Sequence, residues 1–128
     1  MQVLEDSTPI FQQIASLIEN DIVEGMLAEE TQAPSSNEFA SFYRINPATA
    51  AKGLNLLVDD GILYKRRGIG MFVAPGARER LLARRREEFI LRYVTPAAIE
   101  ARKLGIGTEQ LTAMFKASGS TTESTTGA

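Results

Sequence analysis

Two helix-start signals stand so close together that only a short helix and a tight turn fit between them. Ser35-Ser36-Asn37-Glu38 has the form of a capping box, in which the Ser35 hydroxyl accepts from the Glu38 N–H while the Glu38 carboxylate reaches back. Asn46-Pro47 starts again, with a capping side chain and a proline at the first helical position, where its missing N–H costs nothing. A short helix two therefore runs to about Tyr43, and helix three from Pro47 to near Asp60-Gly61. On helix three Ala50, Leu54, Leu57 and Val58 recur at i, i+4, i+7 and i+8 as a core stripe. Ala48, Lys52, Asn55 and Asp59 lie opposite, with Thr49 and Leu56 on the flank, so a small, polar face looks outward.

Helix one, roughly 9–24, is expected to open with Thr8 as N-cap and Pro9 as its first residue. It carries Ile10, Ile14, Leu17, Ile18 and Ile22 at helical spacing and stops at Gly25. Past helix three, the β-prone runs 62–65 and 71–73 flank Arg66-Arg67-Gly68-Ile69-Gly70, which reads as a hairpin with two arginines and two glycines at its tip. Helix, short helix, tight turn, helix, basic hairpin is the order of a winged helix-turn-helix. The expected fold is mainly α (α+β), with this domain over residues 1–74 and a β-hairpin wing.

Residues 75–117 read as a short helical region. The stretch 78–93 is charged and helical, Thr95-Pro96 restarts or kinks it, Gly105 suits a C-cap after 97–104, and Thr108 opens a last short amphipathic helix that includes Met114. The apolar seam is sparse: Leu82, Phe89 and Tyr93, then Leu111 and Phe115. So thin a stripe buries too little alone, so these five residues are expected to form a dimerisation surface. Arg84-Arg85-Arg86 before Glu87-Glu88 reads as i,i+3 and i,i+4 pairing on a solvated face. The low-complexity stretch 118–128 is expected to be disordered.

Composition narrows the function. With neither cysteine nor histidine, the chain has no thiolate or imidazole metal ligand, no cysteine nucleophile and no imidazole base, and its acids are scattered. Neither an enzyme, a metal site nor a cofactor is expected. No apolar run approaches the roughly 20 residues that cross a bilayer, and the acidic start lacks a signal peptide's basic segment, so a cytoplasmic, nucleoid-associated protein with no membrane partner is expected. The net charge of −2 conceals a strong asymmetry: residues 1–43 carry eight acids and no base, whereas residues 44–103 carry thirteen bases against six acids. A nucleic-acid reader needs a basic patch, not a basic average.

That patch falls on the elements that would read double-stranded DNA. A recognition helix enters the major groove with its N-terminal residues toward base edges. Asn46, Ala48, Thr49 and Lys52 occupy that end of helix three: Ala48 and the Thr49 methyl suit a thymine methyl, and Lys52 a phosphate or guanine. Lys65, Arg66 and Arg67 place three charges beside Gly68 and Gly70, where the backbone can approach phosphates or the minor-groove wall. Ser35, Ser36 and Asn37 set hydroxyl and amide groups beside free N–H donors at the start of helix two, a phosphate seat. The plainer readings are that Ser35 and Asn46 only cap, Thr49 and Lys52 are surface residues, and the basic residues protect an edge hairpin from aggregation.

In combination, Pro9-Ile10-Phe11-Gln12-Gln13-Ile14, Ala33-Pro34-Ser35-Ser36-Asn37-Glu38-Phe39-Ala40, Ile45-Asn46-Pro47-Ala48-Thr49, Asp60-Gly61-Ile62-Leu63 and Arg67-Gly68-Ile69-Gly70-Met71-Phe72-Val73 resemble the GntR family of bacterial transcription regulators over about residues 6–74. The remainder to about 117, with Glu100-Ala101-Arg102-Lys103-Leu104-Gly105, looks like the YtrA subfamily, which has a small two-helix dimerisation region. The resemblance implies a homodimeric regulator, a repressor by expectation, without enzymatic activity. It would set two recognition helices in successive major grooves of an inverted repeat with wings in the flanking minor groove. By position it assigns Ser36 and Asn37 to the start of helix two, Asn46, Pro47, Ala48 and Thr49 to the start of the recognition helix, and Gly68 and Gly70 to the wing tip. The chain departs where Ser36 and Asn37 replace a usual hydrophobic residue and arginine, and where Ala33 replaces a usual leucine, which thins the core. A small-molecule effector, if one binds, is expected between the winged domain and the C-terminal helices or across the dimer. The alternative from another class is a protein-interaction module that docks partners on the winged helix.

Overall fold

The structure, a computed structural model, describes Leu4 and residues 8–126, with side chains to Gly119. In order come helices α1 (Ile10–Val23), α2 (Ser36–Tyr43) and α3 (Pro47–Asp59), strands β1 (Leu63–Arg66) and β2 (Gly70–Val73), helix α4 (Ala77–Phe89), a π-helical segment (Ile90–Val94), and helices α5 (Thr95–Lys103) and α6 (Thr108–Thr126). This is the winged helix-turn-helix followed by a helical region. Compact packing divides it into two units, the first ending in sequence at Arg85 and the second beginning at Arg86.

The first unit is organised around α1 and α3. Ile14, Ile18 and Ile22 of α1 pack with Leu54 and Leu57 of α3, Ile62, Leu63 of β1 and Val73 of β2 in one buried cluster. No polar or charged residue is buried among the described residues, so the core is held by apolar packing alone. The two helices come close at Gly53: a Cβ there would lie 2.6 Å from the Phe11 carbonyl oxygen and 3.0 Å from the Ile14 Cβ. Gly53 is thus the point of closest approach between α1 and α3. Ala33 is buried in this cluster, a smaller side chain filling a core position.

Local signals set the helix ends. The capping box of α2 is complete, with Glu38 N–H donating to Ser35 Oγ and Ser35 N–H to Glu38 Oε1, both at 3.1 Å. Asn46 Oδ1 accepts from Ala48 N–H at 2.8 Å at the start of α3. Gly61 (φ +75°) closes α3, with Ile62 N–H on the Leu57 carbonyl and Gly61 N–H on that of Val58, the double bond pattern that a left-handed residue permits. Helix α1 differs from the sequence expectation. Pro9 itself is the N-cap, with no side-chain cap, and Thr8 instead offers its carbonyl to the Gln13 side-chain amide at 2.7 Å.

The first compact unit runs past residue 74, the domain limit expected from sequence. Ala77 and Leu81 are fully buried in the first unit's core, so the start of α4 belongs to that unit. Its arginines tie it down: Arg78 Nε donates to the carbonyl of Val23 at the end of α1 (3.1 Å), and Arg80 to that of Gly61 (2.5 Å). Arg84 pairs with Glu19 and stands 3.9 Å from Asp60, and Arg85 donates to Asn20, so these arginines reach α1 rather than forming only the solvated i,i+4 face read from sequence. Helical periodicity cannot reveal a partner so distant in sequence.

In the second unit the turn before Pro96 widens into a π-helical segment, with Thr95 N–H bonding the Ile90 carbonyl. A proline inside a helix lacks one donor and crowds the preceding turn, and a π-bulge absorbs both, where the sequence allowed a restart or kink. Gly105 (φ +71°) ends α5 in the same double-bonded manner, with Ile106 N–H on the Ala101 carbonyl. Helix α6 runs on to Thr126, beyond the short helix expected to about 117. The serine- and threonine-rich stretch holds no proline to stop it. Gly127 and Ala128, which the expected disordered tail includes, lie outside the described residues.

Replacing Gly53 by alanine tests the α1–α3 contact. Alanine favours a helix by about 1 kcal/mol over glycine, but the new Cβ meets backbone, and overpacking of this kind costs about 1–3 kcal/mol. The expected result is a lower urea midpoint with an unchanged slope.

Candidate nucleic-acid interface

The helix-turn-helix forms because α2 is short and its exit is sharp. Arg44 takes a left-handed conformation (φ +56°), and Ile45 N–H bonds the Ala40 carbonyl, so the chain reverses at once into the Asn46 cap. That conformation usually belongs to glycine or asparagine. Here it carries an exposed guanidinium immediately ahead of α3. Arg44 was not singled out from sequence; its place between two helix signals is the only clue the residues offer.

The sequence-predicted residues on α3 sit at its solvent end. Asn46, Pro47, Ala48 and Lys52 are exposed and Thr49 is half-buried, while Ala50, Gly53, Leu54 and Leu57 face the core. Ala48, Ala51, Lys52, Asn55, Leu56 and Asp59 line a shallow groove together with Phe11 of α1. The Lys52 ammonium stands 4.0 Å from the centroid of the Phe11 ring. Asn46 Oδ1 is committed to capping, as the plainer reading has it, which leaves its amide nitrogen as the group able to reach outward. At the start of α2, Ser35 and Asn37 are exposed and Ser36 half-buried, and the Ser35 oxygen accepts the capping bond.

The wing is an antiparallel pair in which Leu63 faces Val73, Tyr64 faces Phe72, Lys65 faces Met71 and Arg66 faces Gly70. Gly68 (φ +78°) fills the turn, where Ile69 N–H bonds the Arg66 carbonyl. Lys65, Arg66, Arg67 and Gly68 are all exposed, but the three cations do not form one cluster. Side chains alternate along a strand, so Lys65 and Arg66 leave opposite faces. Arg66 lies over the Phe72 ring at 4.6 Å and near that of Tyr64, whose rings stack 6.0 Å apart, whereas Arg67 belongs to the tip.

A third segment supports this hairpin, and sequence reading missed it. Residues 30–33 pair with β2: Glu30 N–H donates to the Val73 carbonyl (2.8 Å), Val73 N–H to Thr31 (3.0 Å) and Ala33 N–H to Met71 (2.8 Å), with Gln32 bridged to Phe72. Tyr64 Oη donates to Glu30 Oε2 at 2.6 Å, and that bond to a carboxylate raises the phenol pKa. Gln32 Nε2 donates to the Ile69 carbonyl at 3.0 Å, and a Cβ on Gly70 (φ +146°) would fall 2.5 Å from that nitrogen. Gly70 thus serves the Gln32 strut as much as any close approach of backbone to DNA. Runs of two to four residues without alternation give no strand signal.

The expected dimerisation residues divide. Leu82 is half-buried in the first unit, beside Leu81, which is the core residue on that turn. In the second unit Phe89 and Tyr93 are more than half exposed with rings 5.8 Å apart, Phe115 is 57% exposed and Leu111 half-buried. Ile90, Leu91, Ile99, Leu104 and Met114 are exposed beside them in sequence.

An outward-facing helix with a small, polar N-terminal end, a second capped helix before it and a supported basic hairpin define a winged helix-turn-helix of the DNA-binding class. Residues 10–73 match the gntR family of bacterial regulatory proteins, and the chain belongs to that family. It is similar to the HTH-type transcriptional repressor YtrA of Bacillus subtilis, 28% identical over 105 residues that make up 82% of this chain and 80% of that protein. A GntR-family regulator from Bacteroides thetaiotaomicron has a crystal structure 33% identical to it, with TM-score 0.70, covering 84% of this chain and 93% of its own. The DNA-binding domain of AraR, solved in complex with its operator ORX1, is 28% identical with TM-score 0.51, over 58% of this chain and 90% of that one. The chain spans only 32% and 30% of two other B. subtilis regulators that it matches, YurK and the repressor NagR. These relatives are transcriptional regulators. No helix among the described residues is long and apolar enough to cross a membrane.

Gly70→Ala tests the strut. The variant would hold a β-carbon at a φ that side chains rarely adopt, a strain of about 1–3 kcal/mol, and would displace the Gln32 amide. Faster hydrogen exchange at the Gly68 and Ile69 amides is expected, with exchange in α1 changed less.

Proposed function

We propose that this chain is a sequence-specific, dimeric DNA-binding transcription regulator that represses by occupying an inverted-repeat operator. The observation that carries the reading is the outward face of α3: its core stripe is buried against α1, α2 and β1, so Ala48, Thr49 and Lys52 lie on the side turned away from the core, where a major groove could receive them. Asn46 and Pro47 set the angle at which that helix begins. The seat at Ser35, Ser36 and Asn37 takes a phosphate on backbone N–H groups, since the arginine usual there in the family is absent. Lys65, Arg66 and Arg67 with Gly68 and Gly70 follow the flanking backbone or minor groove. Support comes from AraR, whose related domain was solved on operator DNA, and from the repressors YtrA and NagR. The similarity to YtrA over most of both chains favours that subfamily.

The exposed apolar side chains of the second unit, Phe89, Tyr93 and Phe115 with Leu111, are the surface a second copy would cover. Two-fold pairing would present two recognition helices to half-sites about one helical turn apart. Leu82 contributes through its half-buried position rather than as the centre of the seam.

Arg44 joins the DNA-facing set in this reading, because its strained conformation presents a cation at the turn ahead of α3. Arg44→Gly is expected to raise the urea midpoint slightly, by relieving the left-handed residue, while weakening DNA binding through loss of the charge. A variant that gains stability without losing affinity would remove Arg44 from the interface.

The whole reading is tested by selecting duplexes from a random-sequence library with the purified protein, then measuring the enriched duplex by fluorescence anisotropy at several salt concentrations. Selective binding is expected. Arg66→Ala/Arg67→Ala should weaken it strongly and reduce the log–log salt slope by up to about two, at roughly 0.9 per phosphate contact. Sedimentation as a dimer should not change. Loss of the dimer with no change in DNA binding would instead favour a protein-docking module.

A further inference from the structure

We propose that Phe11, on the first turn of α1, is a positioning residue that holds Lys52 of α3 ready for a DNA phosphate. This rests on the operator-reading function above and adds a residue from outside the helix-turn-helix to its machinery. The observations begin at Gly53. Because that residue has no side chain, the α1 backbone at Phe11 can lie against α3, within 2.6 Å of where a Cβ would stand. That approach sets the Phe11 ring under the next residue back along α3, with the Lys52 Nζ 4.0 Å from the ring centroid. Phe11 is half-buried and Lys52 exposed, and both line the shallow groove that also holds Ala48 at the reading end of the helix.

The chemistry of the partner matters. Among the described residues no carboxylate forms a salt bridge with Lys52, so its charge is held without being neutralised. A carboxylate would restrain the lysine equally well but would cancel the charge that a phosphate needs and add repulsion of its own. An aromatic face attracts the ammonium through its quadrupole, occupies only the side turned toward the ring and leaves the N–H donors on the far side able to bond elsewhere. Lysine is a point charge on a flexible stem, so restricting that stem before DNA arrives reduces the ordering cost of the contact. An aliphatic side chain at Phe11 would fill the same space against α3 and offer no such restraint.

The experiment is a double-mutant cycle read by anisotropy on the duplex that the wild-type protein enriches from a random library. Phe11→Leu is expected to weaken binding about two- to five-fold, the range of an exposed cation–π contact. Phe11→Tyr, which keeps the aromatic face, should bind like wild type. Lys52→Ala should weaken binding and lower the salt slope by about one, and in that background Phe11→Leu should have no further effect. Urea midpoints of every variant report folding; if Phe11→Leu does not fold, Phe11→Met takes its place. An equal loss from Phe11→Leu in both backgrounds would overturn the inference, because the ring would then act through packing alone. Tighter binding by Phe11→Leu would overturn it too, since the ring would be withholding the lysine. A silent Lys52→Ala, with the wing variants still impaired, would remove the Lys52 contact while leaving the operator reading intact. If no duplex is enriched at all, the operator reading itself fails.

Discussion

The close packing of α1 against α3 is the constraint on which the rest of the first unit depends. Isoleucines at one-turn intervals on α1 meet Leu54 and Leu57, and the absence of a side chain at Gly53 lets the two backbones approach until nothing larger than hydrogen fits. Because one side of α3 is consumed by that contact, the opposite side must face solvent, and the reading face is fixed in rotation about its own axis. Among the described residues no polar or charged side chain is buried to specify the arrangement by hydrogen bonding, so shape does it.

Around this rigid centre, the groups proposed to meet DNA are held by specific small devices. Arg44 occupies a backbone conformation that glycine would take more cheaply. The wing rests on residues 30–33, with Gln32 reaching the carbonyl beside the tip and Tyr64 bonded to Glu30. Arg66 lies over aromatic rings, and Lys52 does the same over Phe11. Long cationic side chains are costly to order, and stacking on a ring limits their motion while preserving their charge. The start of α4 completes the unit through Ala77, Leu81 and arginine contacts to helix-end carbonyls and α1 side chains. The helical region that follows has a different balance: Phe89, Tyr93, Leu104 and Phe115 are exposed, the apolar surface that the proposed dimer would cover.

Much of this was legible in the residues. Caps and prolines act within one turn, so Ser35, Glu38, Asn46 and Pro47 determined where α2 and α3 begin, and the isoleucine and leucine spacing determined which faces are buried. Gly61 and Gly105 marked helix ends because a left-handed residue is needed there, and the arginine–glycine run marked a hairpin tip. All are local rules whose partners lie a few residues apart.

What tertiary structure alone decided involves partners far apart in the chain. The pairing of residues 30–33 with β2, the Gln32 bond to Ile69, the seating of Phe11 beneath Lys52 and the reach of Arg84 and Arg85 to α1 leave no periodic trace, because each joins side chains or single bridges across tens of residues. For the same reason the reach of the first compact unit to Arg85 was not legible: charge made the start of α4 look solvated, and only the packed core shows Ala77 and Leu81 inside it. Sequence determined the elements and their inward faces by short-range sterics and hydrogen bonding; the fold decided which surface groups meet, because that depends on how separate elements pack in three dimensions.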